Sequence, residues 1–290
     1  WARLGYYLRQ RPSFTFDPLF HAGNYYVQEA SSMFLEQAMI QLTQETAPVK
    51  VLDLCASPGG KSTHLQSLLP AGSLLVSNEV IRSRAAVLRD NIVKWGAEQV
   101  VVTNNDPKDF SVLESFFDVL VVDAPCSGSG LFRRDPEAIG EWSLNNVQLC
   151  SQRQQRILAD CWPALKENGL LIFSTCSYSR EEDEEIMDWI QQELDAENCP
   201  LKINEEWGIQ ETASPGGNLG YRFWPDKVKG EGFFLACFRK RNGEAPGQIK
   251  PKKLPERVTR AEKEFVTLWM NITGKELIKH QQTVYAWPEE

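Results

Sequence analysis

The chain has 290 residues, 42% hydrophobic and 24% charged, which is ordinary for a globular fold and room enough for one large α/β domain with flanking pieces or for two domains. Its longest apolar runs, such as Val119-Leu120-Val121-Val122, fall far short of the ~20 residues of a membrane span, and no signal-peptide pattern opens it, so no membrane partner is expected. The formal net charge of −8 argues against a nucleic-acid binder until its distribution is considered: residues 180–211 hold twelve acidic side chains against two basic ones, whereas 239–279 hold eleven Lys/Arg against five Glu.

Residues 1–48 form an N-terminal segment. Aromatic, extended-looking stretches (Tyr6-Tyr7, Phe14, Phe16, Tyr25-Tyr26) precede Ser31-Ser32, which predicts a serine-capped helix over Met33, Phe34, Ala38 and Ile40, closed by Pro48. The chain opens on Trp1 rather than methionine and is expected to be a fragment.

From Val49 short β-rich runs alternate with helical stretches. Strands are predicted at Val49–Leu54, Ser73–Ser77, Gln99–Thr103, Phe117–Val122 and Leu170–Ser174, and helices at Ser62–Leu69, Arg82–Trp95 and Asn146–Leu165. This alternation means βαβ units and a mostly parallel sheet. Ser179 and Glu182 read as a capping box opening an acidic helix, with Ile186, Trp189, Ile190 and Leu194 as its core face and the acidic run as its solvated side. A Gly/Pro-rich loop and a hairpin follow, ending in the strand Gly232–Arg239. From Arg241 the composition shifts to Pro, Lys and Arg, a linker into a module too short to be a full domain. Charge alone leaves that tail divided between plain surface and nucleic-acid contact. The expected division is 1–48 packing on a catalytic domain of 49–240, followed by 241–290.

The first strand runs into Cys55-Ala56-Ser57-Pro58-Gly59-Gly60-Lys61-Ser62. A Gly-rich turn between strand and helix is where a nucleotide-like cofactor sits, because the backbone can approach it and the helix start offers unpaired N–H groups. Two cofactors compete. Gly60-Lys61-Ser62 matches the end of a P-loop, with Asp123 as a candidate Walker B aspartate, but the first P-loop glycine is replaced by Cys55 and Pro58 lacks an N–H. S-adenosylmethionine instead needs an acid after the second strand for its ribose and an acceptor after the third for its adenine amine, and Glu79 and Asp106 stand there. With Asp53, these carboxylates favour the methyl donor.

Two further loops carry thiols. Asp123-Ala124-Pro125-Cys126-Ser127-Gly128-Ser129-Gly130 ends the fourth strand and Ser174-Thr175-Cys176-Ser177-Tyr178-Ser179 ends the fifth. Both lie at carboxyl ends of adjacent parallel strands and should face one crevice. A lone cysteine is ordinarily a small buried hydrophobe, which suffices for Cys150, Cys161, Cys199 and Cys237. With seven cysteines at irregular spacing, no CxxC pair and three scattered histidines, neither a disulfide framework nor a metal site is expected, and free thiols point to the cytoplasm. Cys176 stands just before the predicted acidic helix, whose dipole would favour its thiolate. A thiolate beside a methyl donor suits pyrimidine carbon 5, which becomes nucleophilic once a thiolate adds to carbon 6. Asp123 is the candidate contact to N3.

At these residues the sequence resembles the Nop2/Sun-type RNA cytosine-C5 methyltransferases. The matching stretches are Asp53–Lys61, Asp123–Gly130 and Ser174–Ser177, with Gly23–Ser32, Gly220–Pro225 and Gly230–Phe234 in support. The resemblance implies a Rossmann-like class I methyltransferase sheet that binds S-adenosylmethionine through Cys55, Ala56, Ser57, Pro58, Gly59, Gly60, Lys61, Glu79, Asp106 and Asp123. It implies Cys176 as nucleophile and Cys126 as the residue assisting product release, a division of labour that DNA cytosine methyltransferases lack. Many members carry a histidine shortly after the late proline, where this chain has Asp226-Lys227. Together with Pro12–Pro18, this looks most like the RsmF-type bacterial ribosomal RNA branch, whose C-terminal RNA-binding extension would begin at Arg241. The implied partner is RNA, ribosomal RNA first, with a transfer RNA cytosine-C5 methyltransferase as the alternative, and a monomer is the default expectation. A non-catalytic, RNA-binding ribosome-assembly factor is the alternative from another class, and it would show a broken cofactor turn or a lost cysteine.

Overall fold

Alternating side chains on buried strands build the frame. In the computed structural model, which describes residues 1–44, 46–243 and 256–288, Lys50–Asp53 (β1), Leu74–Asn78 (β2), Val100–Thr103 (β3), Phe117–Asp123 (β4) and Leu165–Thr175 (β5) run parallel. Ala196–Asn198 (β6), Gln210–Ala213 (β7), Leu219–Phe223 (β8) and Phe233–Lys240 (β9) extend the sheet antiparallel, in the order β3-β2-β1-β4-β5-β9-β8-β7 with β6 also paired to β9.

The longer helices packed about the sheet are Leu35–Leu42 (α1), Gly60–Leu68 (α2), Arg82–Trp95 (α3), Leu144–Cys161 (α4) and Glu184–Glu193 (α5). Val119 and Val121 of β4 point into one core with Leu35, Ala38 and Met39 of α1 and Leu65 of α2. Their neighbours Leu120 and Val122 point into the opposite core with Ile157 and Leu158 of α4 and Ile186, Met187 and Ile190 of α5. Period-two alternation with both faces covered explains why β4 is apolar nearly throughout. Each such aliphatic side chain stabilises the fold by roughly 1.5–3 kcal/mol relative to exposure.

The order of strands reverses beside β1, which has β2 on one side and β4 on the other. Ligands bind outside the carboxyl ends of strands at such a point. The N-terminal segment shares the sheet's core: Phe34 packs 5.4 Å from Tyr221 and 5.2 Å from Phe223 between ring centroids.

Several predicted elements shift. A 3₁₀ turn, Ser31–Phe34, precedes α1, and its cap is not a serine: the Glu29 carboxylate accepts the amides of Ser31 and Ser32 at 2.9 and 2.8 Å. Helix α4 starts two residues before the predicted Asn146, because Ser143 caps it, and stops at Cys161, ahead of Pro163. A 3₁₀ turn, Trp162–Ala164, takes up the residues expected to end that helix, and β5 begins at Leu165. Ser179 caps nothing with its side chain, and a 3₁₀ turn, Arg180–Glu182, separates it from α5. Glu182, Asp183 and Glu184 are 0%, 0% and 2% exposed, so the acidic run is not simply a solvated face. Cys150, Cys161 and Cys237 are buried as expected, but Cys199 is only partly so.

The chain separates into two compact units, Trp1–Gly247 and Gln248–Glu290. In the second, Glu256–Arg257 (β10), Lys275–His280 (β11) and Thr283–Pro288 (β12) form an antiparallel sheet in sequence order. Its helix, Arg260–Thr267 (α6), opens with a capping box between Thr259 and Glu262. The basic linker expected from Arg241 falls largely on 244–255, outside the described residues. Among the described residues no helix is long and apolar enough to cross a membrane, and no group of three or more His, Cys, Asp or Glu is arranged to hold a metal ion.

Candidate active site at the carboxyl edge of the sheet

The glycine-rich turn leaves β1 at Asp53 and enters α2 at Gly60. Gly59 has φ +111°, a left-handed conformation that a side chain would strain, and it lets the turn reverse directly into the helix. The turn is tied down from α3: Asn91 Nδ2 donates to Pro58 O at 2.8 Å, and Ser57 and Arg84 exchange side chain–backbone bonds at 3.0 Å. From the N-terminal segment, Gln28 Nε2 donates to Gly60 O at 2.9 Å. The Cys55 side chain packs against the core and its thiol is held well above the usual range by burial, so this residue offers a ligand its backbone only.

Four carboxylates stand along this edge. Asp53 is fully buried; its Oδ2 accepts the Ser62 hydroxyl at 2.7 Å, while Oδ1 has no partner. Burial raises its pKa to about 7, against the opposing pull of the Ser62 bond and the Lys61 charge. Glu79, 3% exposed at the end of β2, accepts from Ile81 N at 2.9 Å. Asp106, past β3, caps the 3₁₀ turn Pro107–Val112 through Lys108 N at 3.2 Å and lies 3.6 Å from Arg156. Asp123, at the end of β4, is held by Lys61 Nζ and Ser174 Oγ, each at 2.8 Å.

These residues fit S-adenosylmethionine. The orphaned Asp53 oxygen and the buried Glu79 carboxylate flank a glycine turn at a helix start, as a cofactor with hydroxyls and amines requires. A triphosphate would meet these acids, and Lys61 is already paired with Asp123. Asn78 went unnoticed in the sequence: its side-chain amide donates to Leu54 O and Asn105 O and accepts from Thr103 Oγ1 and Asn105 N, so it fixes the ends of β1, β2 and β3 together. A buried asparagine ending a hydrophobic strand was the available signal.

The Cys126 and Cys176 sulfurs lie 3.2 Å apart. Their hydrogen bond, the largest influence on each, lowers the Cys176 pKa and raises that of Cys126; burial adds to the rise at Cys126, and Lys61 favours the Cys176 thiolate. The two shifts run in opposite directions and make Cys176 the more acidic thiol of the pair. The helix-dipole argument does not carry over, since α5 begins only at Glu184. The loops approach so closely at Gly130 that a Cβ there would lie 2.6 Å from both Cys176 O and Gly232 O. Gly130 N instead donates to Cys176 O at 2.8 Å.

The acidic run supports these loops. Glu182 accepts from Ser127 N, Ser127 Oγ and Ser177 Oγ. Asp183 accepts the Thr175 hydroxyl at 2.6 Å, and Arg222 pairs with Asp183 and Glu184 at 3.0 and 2.5 Å. The later stretches converge as well: Glu29 also accepts Glu231 N at 2.8 Å, and Arg133 donates to Gly230 O at 2.7 Å.

The sequence matches the family described as 16S rRNA methyltransferase RsmB/F over residues 39–239. It is 33% identical over 233 residues to ribosomal RNA small subunit methyltransferase F of Shewanella piezotolerans, covering 80% of this chain and 49% of that protein. The protein of the same name from Pectobacterium atrosepticum is also 33% identical over 233 residues, covering 79% of this chain and 47% of its own. The chain thus spans about half the length of these relatives. Among solved structures, NSun6 from Pyrococcus horikoshii with SFG, an S-adenosylmethionine analogue, superposes with TM-score 0.69 at 25% identity, over 80% of this chain and 57% of that one. A methyltransferase homolog protein from the same organism gives TM-score 0.65 at 29% identity, over 80% and 73%.

Proposed function

The chain belongs to the RsmB/F family of 16S rRNA methyltransferases, and from that premise we propose that it transfers a methyl group from S-adenosylmethionine to carbon 5 of a cytosine in RNA, through a covalent bond between Cys176 and carbon 6. The observation that carries this reading is the 3.2 Å pairing of two thiols at the ends of adjacent strands, with the Cys176 pKa lowered and that of Cys126 raised.

S-adenosylmethionine supplies an electrophilic methyl group on a sulfonium. The Cys55–Lys61 turn supplies backbone groups and close approach for it, Asp53 an unpaired acceptor, and Glu79 a carboxylate for its ribose. Asp106 stands on the adenine side with one oxygen already engaged as a cap.

The Cys176 thiolate adds to carbon 6 and forms an S–C bond, and the displaced electron pair moves toward N3 and carbon 5. Asp123, held by Lys61 and Ser174, orients the N3 edge, and the Lys61 ammonium offsets the charge gathering there. Burial alone would lower the Lys61 pKa, but the Asp123 charge and hydrogen bond raise it, so the ammonium persists. Carbon 5 takes the methyl group, a base removes its proton, and the S–C bond breaks. The Cys126 thiol donates a hydrogen bond to the departing Cys176 sulfur and so assists release. In this reading catalysis belongs to the first compact unit and the basic residues from Arg241 contact the RNA. The partly exposed, reduced thiols fit a cytoplasmic setting.

The test is transfer of labelled methyl from S-adenosylmethionine to 16S ribosomal RNA and, in parallel, to transfer RNA, followed by mapping of 5-methylcytosine. Label on ribosomal RNA that disappears with Cys176→Ala is expected. Undiminished transfer by that variant would overturn the covalent route, and label confined to transfer RNA would overturn the substrate.

A further inference from the structure

Glu182 is fully buried, yet it forms no ion pair among the described residues. An unpaired buried carboxylate is costly unless hydrogen bonds satisfy it. Here three do. One oxygen accepts the Ser127 amide at 2.6 Å; the other accepts the Ser127 hydroxyl at 2.6 Å and the Ser177 hydroxyl at 2.5 Å. Ser127 follows Cys126 and Ser177 follows Cys176, so a single carboxylate grips the residue next to each thiol. The Ser177 hydroxyl also accepts Ser179 N at 3.0 Å, which extends the grip along the second loop.

We propose that Glu182 is a positioning residue: its carboxylate clamps the Pro-Cys loop to the Thr-Cys loop and sets the spacing at which Cys126 acts on the bond that Cys176 makes. The chemistry in this statement rests on the proposed function; the clamp itself does not. Other links also join the loops: Ala124 N to Ser174 O, Ser174 Oγ to Asp123 Oδ1, Gly130 N to Cys176 O and Tyr178 N to Ser129 Oγ, each 2.8 Å, and the Ser129 and Ser177 hydroxyls at 3.5 Å. Losing Glu182 therefore loosens the thiol pair without separating the loops. The carboxylate charge also raises the Cys126 pKa, after the Cys176 hydrogen bond, burial and the Cys176 charge. Its effect thus favours the same unequal division of labour as its geometry.

The test compares Glu182→Ala and Glu182→Gln with the unaltered chain. Diamide takes the two thiol hydrogens and is reduced to the hydrazine as the Cys126–Cys176 disulfide forms, and peptide mass mapping gives the rate. Alanine is expected to slow this cross-link about tenfold or more, since misplacing reacting groups costs rate steeply. Glutamine should keep it within about threefold, because its carbonyl still accepts the Ser127 amide and its NH₂ can donate to the hydroxyls. An alanine variant that cross-links at the original rate overturns the clamp. Should the alanine chain not fold, Ser177→Ala removes the carboxylate's grip on the second loop alone, and an unslowed cross-link there overturns the clamp equally. In the activity arm, Glu182→Ala should accumulate a covalent RNA adduct that Glu182→Gln does not. Cross-linking that responds as expected, with no adduct in any variant including Cys126→Ala, would support the clamp and sink the covalent route.

Discussion

The Cys126 sulfur lies 3.2 Å from that of Cys176, although the two residues are fifty positions apart and end different strands. Neighbouring thiols cannot both ionise cheaply, so one is driven to keep the proton that the other gives up. Here the shifts favour the thiolate at Cys176, whose pKa is lowered, over Cys126, whose pKa is raised.

Cys126→Ala should leave the addition step intact and impair release. Denaturing gels of that variant incubated with S-adenosylmethionine and substrate RNA should show a slow-migrating protein–RNA band, absent from Cys126→Ala/Cys176→Ala. Overall turnover should fall by roughly 10²-fold or more, the scale of losing a proton-handling group. No band with any RNA substrate would remove the release role.

The rate should rise with pH through the Cys176 titration, because the thiolate is the reactive form. That titration lies below the usual thiol value, owing first to the Cys126 hydrogen bond and further to Lys61, with burial and Asp123 opposing. Lys61→Met removes the facing cation and leaves Asp123 facing the thiol. The acid limb of kcat/KM should move upward by about one pH unit; an unmoved limb would show that Lys61 does not set the thiolate.

Asp53 ties stability to pH in the unliganded protein. Its pKa of about 7 in the folded chain exceeds the unfolded value near 4, so between those limits the folded state binds a proton that the unfolded state releases. Stability from this group is present below about pH 4 and is lost as pH rises toward 7, by on the order of 4 kcal/mol. Urea denaturation of Asp53→Asn at pH 5 and pH 8 should show a smaller decrease across that interval than the parent chain. Equal decreases in both would refute the assignment.

Arg222 is 6% exposed and faces both Asp183 and Glu184. Removing one partner of a buried charge set strands the others, at a cost of about 3–5 kcal/mol. Arg222→Met should therefore lower the denaturation midpoint markedly and, through Asp183 and Thr175, slow methyl transfer beyond what the stability loss explains. A midpoint shift worth under about 1 kcal/mol would mean that water or neighbouring donors satisfy both acids.

Much of this was legible in local spacing. The strands after Val49 and the helix Arg82–Trp95, ended by Gly96 at φ +78°, follow from periodicity and from glycine's freedom of conformation. The three loops proposed to carry the chemistry were legible as glycine, proline and cysteine at strand ends. Glu79, Asp106 and Asp123 were legible as acids after strands, but Asp106's use as a turn cap was not.

The acidic run was misread for a physical reason. Five consecutive acids ahead of an apolar helical stripe look like a solvated first turn, yet the 3₁₀ turn rotates Glu182, Asp183 and Glu184 inward. Their partners, Ser127, Thr175, Ser177, Thr212 and Arg222, come from four other segments of the chain, so no local pattern could reveal them. The sequence by itself determined the sheet, the cofactor turn and which cysteines stand on functional loops, because these depend on residues near one another in the chain. Only the tertiary structure decided that the two thiols touch, which of them is the more acidic and what holds them there, because distance and burial between remote segments set those energies.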